Sequence, residues 1–141
     1  MHIGDMILNH PHNRGTVSPA IIECVEACSD CAATCSACAD ACLGEATVAE
    51  LIACIRLDLD CADICAATGA VAVRGTGRHE VTLGRLLEAC AEACRRCGDE
   101  CAKHAEMREH CRICAAACRR CEQACRDLKK ALGRVAETVT A

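Results

Sequence analysis

The chain has no phenylalanine, tyrosine or tryptophan anywhere in its 141 residues. A core without aromatic rings has to be filled by Leu, Ile, Val, Ala and cysteine. Such side chains let helices approach closely but bury little area each, unlike the interior of an ordinary enzyme. Basic excess is also missing: 16 Lys plus Arg stand against 20 Asp plus Glu, for a formal charge of −4. That balance leaves no face for nucleic acid and no polybasic anchor for a membrane. No apolar run approaches membrane-spanning length. The segment from Met1 to Val17, with His2, Asp5, His10 and Arg14, lacks a basic start followed by an apolar stretch, so it does not read as a secretory signal. The expected location is therefore the cytoplasm, where thiols stay reduced.

What the chain has instead is cysteine: 18 residues of it. Cys24, Cys28, Cys31, Cys35, Cys38 and Cys42 follow one another at steps of four and three, a mean of 3.6 that matches the α-helical repeat. Cys54, Cys61 and Cys65 form a second series with Asp58 in its missing step. Cys90, Cys94, Cys97 and Cys101 make a third, and Cys111, Cys114, Cys118, Cys121 and Cys125 a fourth. Residues at i, i+3 and i+4 share one helical face, so each series draws a thiol stripe.

The stripes predict an all-α fold, an antiparallel up-down-up-down four-helix bundle with a cysteine-lined core. Residues 1–17 are read as a tail or short helix and residues 18–141 as the bundle. Ser18-Pro19 opens the first long helix, which runs to Leu43 and stops at Gly44. Thr47 and Glu50 match a capping box for the second, which runs to about Val73 before Gly75 and Gly77. The third begins near Thr82 and passes Cys101. A short break at Lys103 to Glu106 precedes the fourth, from about Met107 to Leu132, ending at Gly133.

The first stripe alone extends roughly 27 Å along the axis at 1.5 Å per residue. In the same phases, Ile21, Ala72, Leu86 or Leu87, and Leu128 with Leu132 close one end. The other end gathers His104, Met107 and His110. Asp58 either faces solvent with Asp60 and Asp63, if the second helix is rotated, or, as the phase of the cysteines favours, points a carboxylate into the lumen, where it accepts a proton or holds an incoming ion weakly. His2, His10 and His12 fall in the N-terminal tail, and His79 in a glycine-rich loop with no specific task. Ile52, Ile55 and Leu59 lie away from the inward face, where a subunit interface would cover them.

A disulfide framework is disfavoured, because i, i+4 Cβ atoms about 5–6 Å apart on a helix exceed the roughly 3.5–4.5 Å of a relaxed bridge. Cysteine as mere filler is a poor reading for eighteen positions on four inward faces, given the oxidation hazard of free thiols. Soft thiolates suit Cu(I), Zn(II) and iron–sulfur clusters. Zinc wants closed tetrahedra, usually on loops that fold around the ion, whereas rigid stripes suit Cu(I), a d¹⁰ ion content with two or three sulfurs. The reading is storage of multiple Cu(I) ions per chain. A thiol-based redox enzyme and a zinc or iron–sulfur carrier are the alternatives; no cysteine stands out as a reactive nucleophile.

The Cys-x-x-x-Cys-x-x-Cys repeats of Cys24–Cys42, Cys90–Cys101 and Cys111–Cys125, in an aromatic-free chain of this length, resemble the bacterial copper storage proteins. The resemblance covers residues 18 to 133. It implies a four-helix bundle holding many Cu(I) ions, the cytosolic branch, a homotetramer, and histidines at the mouth. That last role carries to His104 and His110, with Asp58 and Met107 assisting. Asp58 departs from the thiol pattern, which puts one local pairing of the second stripe in question.

Overall fold

In a computed structural model, the structure describes residues 2–13, 17–77 and 79–140, with side chains up to residue 134. Arg14, within the N-terminal segment read above, lies outside the described residues. The elements are α1 (His2–Leu8), α2 (Pro19–Leu43), a 3-10 turn (Val48–Leu51), α3 (Ile52–Val73), α4 (Glu80–Ala102) and α5 (Glu109–Thr140). No strand occurs among the described residues.

The four long helices pack in a ring, α2 against α3, α3 against α4, α4 against α5 and α5 back against α2. Sulfur contacts give their directions. Cys54 meets Cys101 and Cys65 meets Cys90 across α3 and α4, while Cys24 meets Cys125 and Cys35 meets Cys114 across α2 and α5. Early residues of one helix thus face late residues of its neighbour, so these pairs run antiparallel. Across α4 and α5, Arg119 on α5 pairs with Asp99 on α4 at 2.6 Å, with the same sense.

Local chemistry sets most boundaries. Ser18 Oγ accepts from the Ala20 N–H at 3.3 Å, and Pro19 takes the first helical position, where its missing N–H costs nothing. Gly77 adopts φ +65° in the α3–α4 loop, a conformation that favours glycine. The break between α4 and α5 holds, with the chain turning through residues 103–107.

Three expectations need correction. The capping box at Thr47 and Glu50 does not form: Thr47 makes no side-chain cap, its hydroxyl instead accepts from Arg108, and a 3-10 turn precedes α3. His79 has a task, since its Nδ1 accepts from the Thr82 N–H at 3.2 Å and caps α4. Gly133 does not end the last helix, which continues to Thr140. A Cβ there would meet nothing within 4 Å, and an exposed glycine inside a helix costs only about 1 kcal/mol. Within the segment read as a tail or short helix, residues His2–Leu8 form α1, whose Ile7 is buried; beyond it, His10 Nε2 hydrogen-bonds Thr76 Oγ1 at 3.1 Å.

The apolar end plug is Leu83, Leu87, Leu128 and Ala72, all buried, with Ile21 and Leu132 half-buried around them. Leu87 rather than Leu86 fills the position. Thr68, one helical step beyond Cys65, is also fully buried and donates to the Ile64 carbonyl at 2.8 Å. Two glycines allow close helix approach. A Cβ on Gly69 would lie 3.2 Å from Cys28 Cβ, and one on Gly98 would lie 3.3 Å from Cys118 Cβ. Ile52 and Leu59 are exposed in the single chain, at 58% and 49%.

Candidate metal centre

All eighteen cysteines are buried free thiols. The sulfurs of the four stripes converge because each stripe faces the same axis. Within a helix, Cys31 and Cys35 bring Sγ atoms to 3.7 Å, and Cys61 and Cys65 to 3.8 Å. Between helices, Cys54 and Cys101 approach to 3.5 Å, and Cys65 and Cys94 to 3.6 Å.

These contacts assemble into overlapping quartets whose ligand atoms all lie within 4.8 Å of one another. From the apolar end they are Cys28, Cys90, Cys121 and Cys125; then Cys31, Cys65, Cys94 and Cys121; then Cys31, Cys35, Cys61 and Cys118; then Cys35, Cys97, Cys114 and Cys118. Cys38, Cys42, Cys54 and Cys111 form a further quartet toward the histidines. Neighbouring quartets share members: Cys121 joins the first two, Cys31 the second and third, Cys35 and Cys118 the third and fourth. The first four quartets thus form a ladder of shared sulfur, and the fifth stands apart from it toward the histidines.

Asp58 lies inside this ladder, fully buried. Its Oδ1 accepts from Cys97 at 3.0 Å, Cys114 at 3.3 Å and Cys101 at 3.5 Å, while Oδ2 lies 3.9 Å from Cys54. The carboxyl is thus surrounded by thiols of α3, α4 and α5 and sits between the last two quartets rather than at the mouth. Burial pushes its pKa up to about 8, partly opposed by the Cys97 hydrogen bond. At neutral pH Asp58 therefore keeps its proton.

The thiols nearest the mouth respond to the same desolvation. Burial first of all pushes Cys42 up to about 12 and Cys111 up to about 11. Cys54 moves the opposite way, held low first by the hydrogen bond with Cys101 and also by Cys38, with His104 pulling in the same direction. It is the thiol of that quartet most ready to give up a proton.

At the mouth, His110 places Nδ1 3.5 Å from Cys38 Sγ and 3.6 Å from Cys111 Sγ. Its Nε2 meets Glu45 Oε1 at 3.0 Å. His104 sets Nε2 3.4 Å from Glu100 Oε1. Both imidazoles are partly exposed, His110 at 26% and His104 at 18%, and His110 connects solvent to sulfur. Met107 does not join them: at 83% exposure it projects from the α4–α5 turn into solvent, because the turn carries it off the helical phase that the Cys101, His104, Met107 spacing suggested. Leu51, one turn ahead of Cys54, is fully buried. Sequence reasoning passed over it, although i, i+3 phase with Cys54 marks it as inward. Glu45 and Arg108 were also missed, and no periodic signal marks them, since both lie in connections.

Chemically, a chain of shared thiols suits an ion that accepts two or three sulfurs and tolerates bridging. A tetrahedral divalent ion in each quartet would compete with its neighbour for the shared sulfur. Four thiolates around a dication would also leave two uncompensated negative charges at every buried step.

Comparison with known proteins agrees with this chemistry. A family profile described as copper storage protein matches residues 18–130. An uncharacterized cysteine-rich protein of Bacillus subtilis (strain 168) is 41% identical over 105 residues, which span 74% of this chain and 92% of the relative. The structure of the copper storage protein from Streptomyces lividans loaded with 10 copper equivalents superposes with a TM-score of 0.87 at 53% identity, covering 91% of this chain and 98% of that one. A structure of a cytosolic copper storage protein from the same organism with five coppers matches with a TM-score of 0.77 at 58% identity, covering 79% and 92%.

Proposed function

The chain belongs to the copper storage protein family, and from that premise we propose that it stores many Cu(I) ions on its core thiolates, acting as a binding protein with no catalytic step. The observation that carries this reading is the ladder of quartets with shared cysteines. Cu(I) bound by two or three sulfurs, with one sulfur bridging two ions, fills such a ladder without competition. One Cu⁺ per thiolate is neutral, so eighteen cysteines set a ceiling on the order of eighteen ions with bridging and about half that without.

Loading begins at the histidine end. His104 and His110 offer ligands of intermediate softness at the surface, and His110 Nδ1 hands an ion directly to Cys38 and Cys111. Each uptake step releases a thiol proton. Around Asp58, an arriving Cu⁺ displaces a proton from the group formed by the carboxyl and its four thiols, so the net charge of the group does not change. Without copper the thiols are small neutral side chains, so the bundle does not depend on the metal to fold.

The cytosol is the proposed location, in keeping with the cytosolic relative from Streptomyces lividans and with a free-thiol core. The exposed Ile52 and Leu59 on α3 support assembly into the homotetramer that the resemblance implies. Such a store protects the cell from free copper or reserves it for copper enzymes.

Titration of the reduced protein with Cu(I) against a competing chelator tests the reading. Uptake of more than about ten ions per chain is expected if sulfurs bridge, and the sulfur-to-copper ultraviolet bands are easy to follow in a chain with no Tyr or Trp. Saturation at one to four ions, or equal loading with zinc, would replace storage by a carrier function. Replacing His104 and His110 with Gly should change uptake rates far more than capacity.

A further inference from the structure

The mouth holds two groups to which the storage reading gives no task. Glu45, in the α2–α3 connection, is about one-third exposed, and its Oε1 lies 3.0 Å from His110 Nε2. Arg108, in the α4–α5 turn, is nine-tenths buried, with 9% of its side chain exposed. Its Nε has no hydrogen-bond partner and lies 3.8 Å from the same Glu45 oxygen. Its Nη2 donates to Thr47 Oγ1, two residues beyond Glu45. The guanidinium is therefore fastened to the α2–α3 connection at one end and faces the Glu45 carboxylate at the other. A buried arginine is held in place only where its charge is met, and Glu45 is the acid that meets it here.

The consequence falls on His110. A carboxylate can only accept hydrogen bonds, so the ring nitrogen facing Glu45 must carry the hydrogen. In the neutral imidazole the other nitrogen, Nδ1, then carries the lone pair. That nitrogen is the one 3.5 Å from Cys38 Sγ and 3.6 Å from Cys111 Sγ. The ring is thus presented with its donor pair toward the sulfurs and its N–H toward the carboxylate, the arrangement by which outer partners orient metal-binding histidines. Left alone, a neutral histidine populates both tautomers, and the wrong one would aim an N–H at an arriving cation.

We propose that Glu45, fixed by Arg108, is the positioning residue that locks His110 in the Nε2–H tautomer, so that its Nδ1 lone pair receives copper at the mouth of the bundle. This rests on the storage reading for its purpose, but the tautomer itself exists without copper. Glu45 acts through His110 and touches no thiol. The device joins two connections and one helix: the carboxylate follows α2, the guanidinium precedes α5, and the imidazole stands in the first turn of α5.

Two readouts test it. In the reduced, copper-free protein, two-bond hydrogen–nitrogen correlation spectra of the imidazole rings should show His110 with Nε2 protonated and Nδ1 bare. Glu45→Ala should shift that ring toward a mixture of tautomers and slow capture of the first Cu(I) equivalent from a chelate donor by roughly tenfold, the usual scale for loss of an outer-shell partner. Glu45→Gln keeps an oxygen acceptor but loses the charge, and should restore both the tautomer and most of the rate. An Ala variant with the wild-type tautomer and rate would overturn the proposal. So would a Gln variant as slow as Ala, which would mean that the carboxylate merely attracts cations. Failure of the storage reading would look different: the unaltered protein would not load, while its His110 tautomer would be as stated.

Discussion

Asp58 shows how one residue can set the proton balance of a whole core. Its carboxyl is fully buried and surrounded by thiols of Cys54, Cys97, Cys101 and Cys114, and burial raises its pKa from the ordinary 3.8 to about 8. The folded state therefore binds this proton more tightly than the unfolded chain does. Its contribution favours folding fully below about pH 4 and is lost as pH rises through about 8, with a span on the order of 6 kcal/mol at most. Urea midpoints of the copper-free, reduced protein should accordingly fall between pH 5 and pH 8. In Asp58→Asn that decline should largely vanish. An unchanged slope in the variant would show that Asp58 is not the group responsible. The sequence placed Asp58 on the thiol stripe from its spacing to Cys54 and Cys61 alone, but its protonation state depends on α4 and α5, which no local pattern reveals.

At the scale of the helix, periodicity did most of the work. All eighteen cysteines face inward because steps of three and four residues hold one phase, and the beginning of α2 at Ser18-Pro19 follows from cap chemistry. Where the reading failed, a tertiary contact outcompeted a local rule. The Thr47 hydroxyl serves Arg108 instead of capping α3, Met107 is turned outward by the α4–α5 connection, and α5 runs through Gly133 because nothing there requires a stop. The glycines supply a test of packing against propensity. Gly84 in α4 has open space around a would-be Cβ, so Gly84→Ala should stabilise the apo protein by about 0.5–1 kcal/mol. Gly69→Ala brings the same propensity gain but sets a Cβ 3.2 Å from Cys28 Cβ, where neither atom is the free end of a flexible side chain. Overpacking of about 1–3 kcal/mol should cancel or reverse the gain. Urea denaturation of both variants side by side checks the contrast, and equal stabilisation would mean that α2 and α3 separate at little cost.

For the whole molecule, the apolar surface left on α3 bears on assembly. Ile52 and Leu59 are exposed at 58% and 49%, seven residues apart on one helical face, with Ile55 partly buried between them. Paired replacement, Ile52→Asp with Leu59→Asp, should yield a monomer by light scattering while the unaltered chain elutes as a larger oligomer. Copper uptake per chain should survive, because the thiols face the opposite way. A variant of unchanged mass would place the interface elsewhere.

By itself, the sequence determined the secondary structure and its inward face, and with them the soft-ligand chemistry, because a helix repeats within a few residues and each stripe records its own phase. Only the tertiary structure decided which sulfurs from different helices share a quartet, that Asp58 hydrogen-bonds thiols of α4 and α5, and that Glu45 reaches His110 across 65 residues of chain. Those pairings depend on the register between helices and on the path of their connections, which are fixed by close packing at residues such as Gly69 and Gly98 and leave no periodic trace in the chain.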